Sequence, residues 1–195
     1  MRAKAPIIPQ LDNLKIFAKL VKNIKCFYCF DIETTGLSPY TNDIIEFSAI
    51  EYRYSSGHFH ESRSLDIYIN PGYPLPQEIV KITGITDSTI QSKGISQPEA
   101  VEKIRNFWGD RPILVGYNSI SFDQEFLDTL YRKILGIGFS NTYHIDVLKM
   151  AKEKMPAPHK LCDMAKAAKV DEGITFHTSI DDARATFGVF RFLLH

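Results

Sequence analysis

Two carboxylates stand two residues apart at the end of an apolar run near the start of the chain. Asp31 and Glu33 follow a segment typical of a buried strand, so both side chains are predicted to lie on one face. Like charges this close favour a bound cation, and Mg²⁺ and Mn²⁺ prefer oxygen ligands. Thr34, Thr35 and Gly36 then form a turn, where glycine lets the backbone approach a ligand. The alternative is a strand end with solvated carboxylates.

Two later segments carry further candidate ligands. The apolar run 112–117 predicts a short strand, and Asp123 lies in the first turn of the helical pattern that follows. Near the end of the chain, His177 and Asp182 stand at the start of a last amphipathic helix. This separation fits one loop-to-helix site. Helix capping is the alternative role for both carboxylates, with Ser179 as the cap of the last helix.

These segments resemble, in order, the three motifs of the DEDDh group of DnaQ-like 3′–5′ exonucleases. The motifs are Asp31-Ile32-Glu33, the Gly116-Tyr117-Asn118 to Phe122-Asp123 element, and His177 with four residues before Asp182. The resemblance covers the chain from about Cys26 to the last helix, and its spacing favours Asp182 over Asp181. Thr83-Gly84 is similar to the form in bacterial polymerase III proofreading domains.

The resemblance implies a metal-dependent 3′–5′ exonuclease that releases nucleoside 5′-monophosphates. Its two-metal-ion mechanism would use two divalent ions, Mg²⁺ or Mn²⁺. The carboxylates that would hold them are Asp31, Glu33, Asp123 and Asp182. His177 would act as the general base, because a free imidazole, with a pKa of about 6.5, accepts a proton from water at neutral pH.

Substrate contacts are also implied by the resemblance. The backbone at Thr34 and Thr35, beside Gly36, matches where the family holds the terminal 3′ hydroxyl. Leu37 matches an apolar wedge against the last base, since apolar contact tolerates any base. Leu37 is equally compatible with a place in the core. Asn118 is expected to bond the strand or a neighbouring loop.

Charge does not identify the substrate. Lys and Arg total 23 and Asp and Glu also total 23, which argues against tight non-specific duplex binding. Nucleic acid 3′ ends are expected, and the likeness to bacterial proofreading domains favours single-stranded DNA over RNA. A DNA polymerase or another replication or repair protein is a candidate partner. The alternative from another class is a non-catalytic module that binds nucleic acid or a polymerase.

The remaining pattern predicts an α/β domain in which the first three strands form an antiparallel meander, with a turn at 54–57. The resemblance implies the ribonuclease H-like fold, a mixed five-stranded sheet flanked by helices. The later strands are predicted at 113–115 and 142–146, and helices at 96–108, 147–152 and 161–168.

Two parts of the chain are expected, an N-terminal extension, residues 1–25, and an exonuclease domain, residues 26–195. Apolar residues at helical spacing with lysines between them predict a basic amphipathic helix in the extension. This helix either packs on the domain with a solvated lysine face, or docks on a partner or on the nucleic acid backbone.

Cysteine usage and hydropathy indicate a cytoplasmic protein. The 3 cysteines are too few for a disulfide framework, and Cys26 and Cys29 are predicted on opposite faces of one strand. No apolar run has the length needed to span a bilayer, and lysines interrupt any signal-peptide core. A reducing compartment and no membrane partner are therefore expected.

Overall fold

The computed structural model describes residues 26–56 and 58–194. The helix predicted within residues 1–25 lies outside these residues, as does Gly57 of the predicted turn. The strands are β1 (Cys26–Thr34), β2 (Ile44–Ser55), β3 (His58–Tyr68), β4 (Ile113–Gly116) and β5 (Tyr143–Asp146). The helices are α1 (Gln77–Thr83), α2 (Asp87–Lys93), α3 (Gln97–Trp108), α4 (Asp123–Leu135), α5 (Val147–Lys154), α6 (Leu161–Ala167) and α7 (Ser179–Leu193).

The five strands form one mixed sheet in the order β3-β2-β1-β4-β5. The first three strands form the predicted antiparallel meander, whereas β4 and β5 run parallel to β1. The ribonuclease H-like architecture expected from the sequence is therefore confirmed. Because β1 and β4 are parallel, their carboxyl ends meet at one edge of the sheet, where the first two motifs lie.

Both faces of the sheet are covered by helices. Alternate side chains of β1 divide between two cores, with Phe27 and Cys29 facing α5, α6 and α7. Tyr28, Phe30 and Ile32 face α3 and α4 on the other side. Strand β2 is buried throughout residues 44–52, because helices cover both of its faces. Its alternating sequence pattern therefore does not produce a row of side chains that face solvent.

Two short helices were not predicted from the sequence. Each has seven residues; α1 buries none of them and α2 buries only Ile90, so neither leaves a periodic apolar signal. Gly84 ends α1 in the left-handed conformation, and Thr86 caps α2 by accepting a hydrogen bond from the Thr89 N–H. The segment around Thr83-Gly84 is therefore a helix end followed by a helix start.

Ser179 does not cap the last helix, so that prediction was wrong. It is the first residue of α7, and the capping position is held by Thr178, which makes no side-chain capping bond. The Ser179 side chain turns instead toward β2, where its hydroxyl lies 2.6 Å from that of Ser48.

None of the helices within the described ranges is long and apolar enough to cross a membrane.

Candidate active site

The first motif lies at the carboxyl end of β1, beside β2. Glu33 pairs with Glu46 across the two strands, and the register shifts between Glu33 and Thr34. Such a bulge changes the direction of the strand and is common beside active sites. The turn that follows starts with a hydrogen bond of 2.7 Å from the Thr34 hydroxyl to the Gly36 carbonyl.

The third motif is brought against the first by α7. Ligand atoms of Glu33, His177 and Asp182 all lie within 4.8 Å of one another. This is the distance range in which three side chains can hold a single metal ion. The histidine and the carboxylate predicted from their spacing in the sequence therefore share one place with the first motif.

Asp31 and Asp123 complete the cluster of carboxylates. Asp123 is the first residue of α4 and is only 3% exposed. Burial raises the pKa of Asp31 well above its ordinary value, and the charges of Asp123, Asp182 and Glu33 raise it further. Burial is also the main cause of the raised pKa of Asp123. Of the four predicted metal ligands, Glu33 and Asp182 therefore lie within ligand distance of each other, and Asp31 and Asp123 act on them through their charges.

Burial and neighbouring carboxylates also raise the pKa values of Glu33 and Asp182. Burial, followed by the charges of Asp182 and Glu46, raises the pKa of Glu33 to about 8. Burial raises the pKa of Asp182 to about 6, although the N–H and the charge of His177 act in the opposite direction. Mutually repelling carboxylates with raised pKa values are typical of a site that a cation stabilises.

The two oxygens of Asp182 indicate where a metal ion fits. Its Oδ2 accepts a hydrogen bond of 3.2 Å from the backbone N–H of His177. Its Oδ1 is buried and has no hydrogen-bond partner among the described residues. A buried carboxylate oxygen without a partner is costly, and a hard divalent cation with oxygen ligands would satisfy it. The donor set therefore fits Mg²⁺ or Mn²⁺.

His177 occupies an unusual backbone conformation at the mouth of this site. It is exposed and has a φ of 69°, in the left-handed region that non-glycine residues rarely adopt. Strained residues of this kind cluster at functional sites. The N–H of His177 bonds Asp182, and its ring lies near Glu33.

Glu46 is a further carboxylate beside this site; it is buried, and the sequence interpretation did not select it. It lies opposite Glu33, and its Oε2 accepts a hydrogen bond of 3.0 Å from the backbone N–H of Ser179. Glu46 thereby holds the first turn of α7, which carries Asp182, against β2. The available signal was a lone glutamate between the apolar residues Ile45 and Phe47.

A half-buried histidine, His144, bonds residues of the second motif. The Nε2 of His144 lies 2.8 Å from the Ser119 hydroxyl, and its Nδ1 lies 2.8 Å from Gln124 Oε1. Because the amide oxygen only accepts, Nδ1 carries the proton and Nε2 accepts from Ser119. Burial lowers the pKa of His144 to about 3, so the ring is neutral. His144 thus bonds one residue before Asp123 in the chain and one residue after it.

Asn118 is held by β5. Its backbone N–H donates a hydrogen bond of 3.0 Å to Asp146 Oδ1, and its side-chain oxygen accepts one of 3.2 Å from the Ser121 hydroxyl. A φ of 60° turns the chain sharply at this residue. Asn118 therefore bonds a neighbouring strand and its own loop, while its contact with substrate stays a prediction.

A groove of about 380 Å³ opens beside Glu33 and Thr34. Its apolar wall combines the predicted Leu37 with residues that the sequence interpretation did not select. Those apolar residues are Ile79, Ile82 and Phe122. Leu37 itself is 85% exposed, so a place in the core is excluded.

Comparison with known proteins agrees with this geometry. A family model described as RNase T, exonuclease, matches residues 28–190. The chain belongs to the RNase T exonuclease family. Its match spans the three motifs, from β1 to α7, and confirms the DnaQ-like exonuclease expected from them.

Curated relatives of this RNase T family member are much longer proteins. DNA polymerase III of the PolC type from Bacillus subtilis is 34% identical over 165 residues, which is 82% of this chain and 11% of the relative. The PolC-type protein of Mycoplasma genitalium is 42% identical over 127 residues, 65% of this chain and 8% of the relative. The chain thus spans about a tenth of the length of these relatives.

Solved structures of exonuclease I share the fold of this exonuclease domain. One superposes with a TM-score of 0.72 at 21% identity, covering 87% of this chain and 40% of the other. A structure of E. coli exonuclease I in complex with a dA16 oligonucleotide gives a TM-score of 0.71 at 21% identity, with the same coverage.

Proposed function

We propose that this domain is a metal-dependent 3′–5′ exonuclease that removes nucleoside 5′-monophosphates from single-stranded or frayed 3′ ends of DNA. One observation carries the proposal. Glu33, His177 and Asp182 converge within 4.8 Å of one another, and their neighbours Asp31 and Asp123 complete the charged cluster. A non-catalytic module would not need a histidine held beside four carboxylates.

These side chains would supply the groups that the hydrolysis requires. His177 accepts the proton of a water molecule, whose oxygen attacks the terminal phosphorus. The bond from phosphorus to the 3′ oxygen of the shortened strand breaks, and that oxygen takes up a proton. Two divalent ions, when bound, lower the pKa of the attacking water and stabilise the leaving oxygen. The groups that would hold them are Asp31, Glu33, Asp123 and Asp182.

The groove supports a substrate with an unpaired terminal nucleotide. Its wall at Leu37, Ile82 and Phe122 is apolar and would contact a base face without selecting a sequence. The groove also borders Glu33, so a nucleotide bound there would present its phosphate to the carboxylates. We therefore assign the groove to the 3′-terminal nucleotide.

The similarity to PolC-type DNA polymerase III supports DNA as the substrate and a replication or repair polymerase as the partner. The oligonucleotide complex of E. coli exonuclease I supports a single strand. Both assignments are part of the proposal, since this chain spans about a tenth of the PolC-type relatives. A cytoplasmic location is proposed on the same basis.

Matched single-stranded DNA and RNA oligonucleotides with Mg²⁺ test the substrate. We expect the purified protein to shorten the DNA faster than the RNA, and the Asp182→Asn variant to shorten neither. Faster loss of RNA would make the protein an exoribonuclease. A wild-type protein that binds both strands and cleaves neither would make it a binding module.

A further inference from the structure

The loop between β1 and β2, residues 35–43, carries a wedge-like side chain on an ordered backbone. Leu37 projects from this loop with 85% of its surface exposed. The loop beneath it is closely packed, because a Cβ on Gly36 would lie 2.7 Å from the Asn42 side chain. The Ser38 N–H also donates to Asn42 Oδ1 at 3.1 Å. An exposed apolar residue on so ordered a loop requires an explanation.

The base of the loop is closed by two hydrogen bonds between its ends. The Thr35 N–H donates to the Asp43 carbonyl at 2.9 Å, and the Asp43 N–H donates to Thr35 Oγ1 at 3.0 Å. The backbone N–H and a lone pair of the hydroxyl of Thr35 are therefore used within the loop. Thr35 therefore serves the loop through these groups.

Tyr73 extends this closure through its hydroxyl, which lies 2.8 Å from Asp43 Oδ2 and 2.9 Å from Thr35 Oγ1. A carboxylate oxygen only accepts, so the Tyr73 hydroxyl donates to Asp43. The remaining hydroxyl proton, that of Thr35, is therefore donated to the Tyr73 oxygen. The bonds run in one direction, from Thr35 through Tyr73 to Asp43.

The second oxygen of Asp43 connects the loop to two helices. Asp43 Oδ1 accepts a hydrogen bond of 2.8 Å from Gln97 Nε2, at the start of α3. It also lies 3.3 Å from the ammonium of Lys133, near the end of α4. One carboxylate thus joins the loop, Tyr73 and both helices on that face of the sheet.

We propose that Asp43 and Tyr73 are positioning residues that hold Leu37 and the loop in the conformation that receives the 3′-terminal nucleotide. The inference rests on the proposed function and extends it to residues outside the metal site. Ordering a loop at the moment of binding reduces affinity, so a loop ordered in advance binds more tightly. Neither residue contacts the carboxylate cluster, and their effect should appear in substrate binding.

Tyr73→Phe is the sharpest variant, because it removes one hydroxyl and leaves the ring. With a single-stranded DNA oligonucleotide and Mg²⁺, KM should rise about 2- to 12-fold, as for loss of one ordinary hydrogen bond, because the bond from Tyr73 to Asp43 is exposed to solvent. The kcat should stay within about 2-fold, since the metal ligands are untouched. Asp43→Asn should raise KM by at least as much. Tyr54→Phe is the matched control, because Tyr54 and Tyr73 are both 42% exposed.

Amide hydrogen exchange gives a readout that does not depend on activity. The Asp43 N–H, which donates to Thr35 Oγ1, should exchange faster in Tyr73→Phe than in the wild type. Its exchange rate should be unchanged in Tyr54→Phe. If the wild type is active and Tyr73→Phe keeps the wild-type KM, this inference is wrong, whatever the rate of amide exchange. The proposed function would then be unaffected. A fall in kcat with constant KM would also overturn this inference. A wild type without exonuclease activity would overturn the proposed function, and this inference with it.

Discussion

His177 takes part in the site through its backbone as well as its ring. Its N–H donates to Asp182 Oδ2, while a ring nitrogen lies within 4.8 Å of carboxylate oxygens of Asp182 and Glu33. The left-handed backbone at this residue lets both contacts form. An exposed ring suits the general base that we propose, which must return a proton to solvent in each turnover.

Replacing His177 by glutamine should lower kcat by about 10² to 10⁴, the usual contribution of general acid–base catalysis. The rates are measured as initial rates on one oligonucleotide. His60→Gln is the control, since His60 is also exposed but lies on β3. A His177→Gln variant with the wild-type rate would remove the base assignment.

Asp182 gives a prediction about metal binding. Mg²⁺ should raise the Tm of the wild type, because a ligand that binds only the folded state stabilises it. Asp182→Asn should reduce this shift and raise the Tm of the metal-free protein, since burial and nearby charges raise the pKa of this carboxyl to about 6. Asp181→Asn is the control on the neighbouring residue. Equal Mg²⁺ shifts in wild type and Asp182→Asn would exclude Asp182 as a ligand.

At the scale of elements, the sheet brings together motifs that lie far apart in the sequence. The parallel pair β1 and β4 places Asp31 and the start of α4 at one edge. Apolar runs made these elements predictable, and the motif spacing selected their carboxylates. The position of Glu46 could not be predicted, because its partner Ser179 is distant in the sequence and meets it only after folding. The seven-residue helices α1 and α2 were missed because short helices have weak periodicity.

Glu51 joins three strands and gives a prediction for stability. The Arg53 and Arg63 guanidinium groups and the Tyr28 hydroxyl all donate to this buried carboxylate. Burial alone would raise the pKa of Glu51, but the bonds and charges of the two arginines hold it below its ordinary value. Glu51→Gln should therefore lower the free energy of unfolding at pH 7 by about 1–3 kcal/mol.

The pH dependence of this effect has a defined sign. A lowered folded-state pKa stabilises the protein above the unfolded-state pKa, about 4.5, and the contribution disappears as pH falls through the folded-state value. The difference between wild type and Glu51→Gln, measured by urea unfolding, should shrink below about pH 4.5. Glu61→Gln, at an exposed ion pair with Arg184, should have little effect. A Glu51→Gln difference that grows in acid would contradict this account.

At the scale of the whole molecule, balanced charge distinguishes this chain from proteins that bind duplex DNA through a broad basic surface. The proposed reaction would need few contacts with the nucleic acid backbone, because the groove and any ions held by the carboxylates would bind one terminal nucleotide. The lysines at 15, 19, 22 and 25 are the concentration of positive charge that the described domain leaves unexplained. Their part in substrate binding is open to a direct measurement.

Deletion of residues 1–23 tests whether these lysines contact nucleic acid. We expect KM to keep its dependence on salt and the Tm to fall, as for a helix that only packs on the domain. The slope of log KM against log salt concentration, compared between the 195-residue chain and the shortened chain, measures this directly. A flatter slope with a raised KM and an unchanged kcat would show that the extension contacts the phosphate backbone.

We expect one metal-dependent site to remove nucleotides from a free 3′ end. Single-stranded DNA labelled at its 5′ end, incubated with the protein and Mg²⁺, tests this expectation most directly. The labelled strand should give a ladder that shortens by one nucleotide at a time, with no shortening when the 3′ end carries a phosphate or when Mg²⁺ is removed by a chelator. Cleavage of a circular single strand, or immediate release of the labelled 5′ nucleotide, would contradict it.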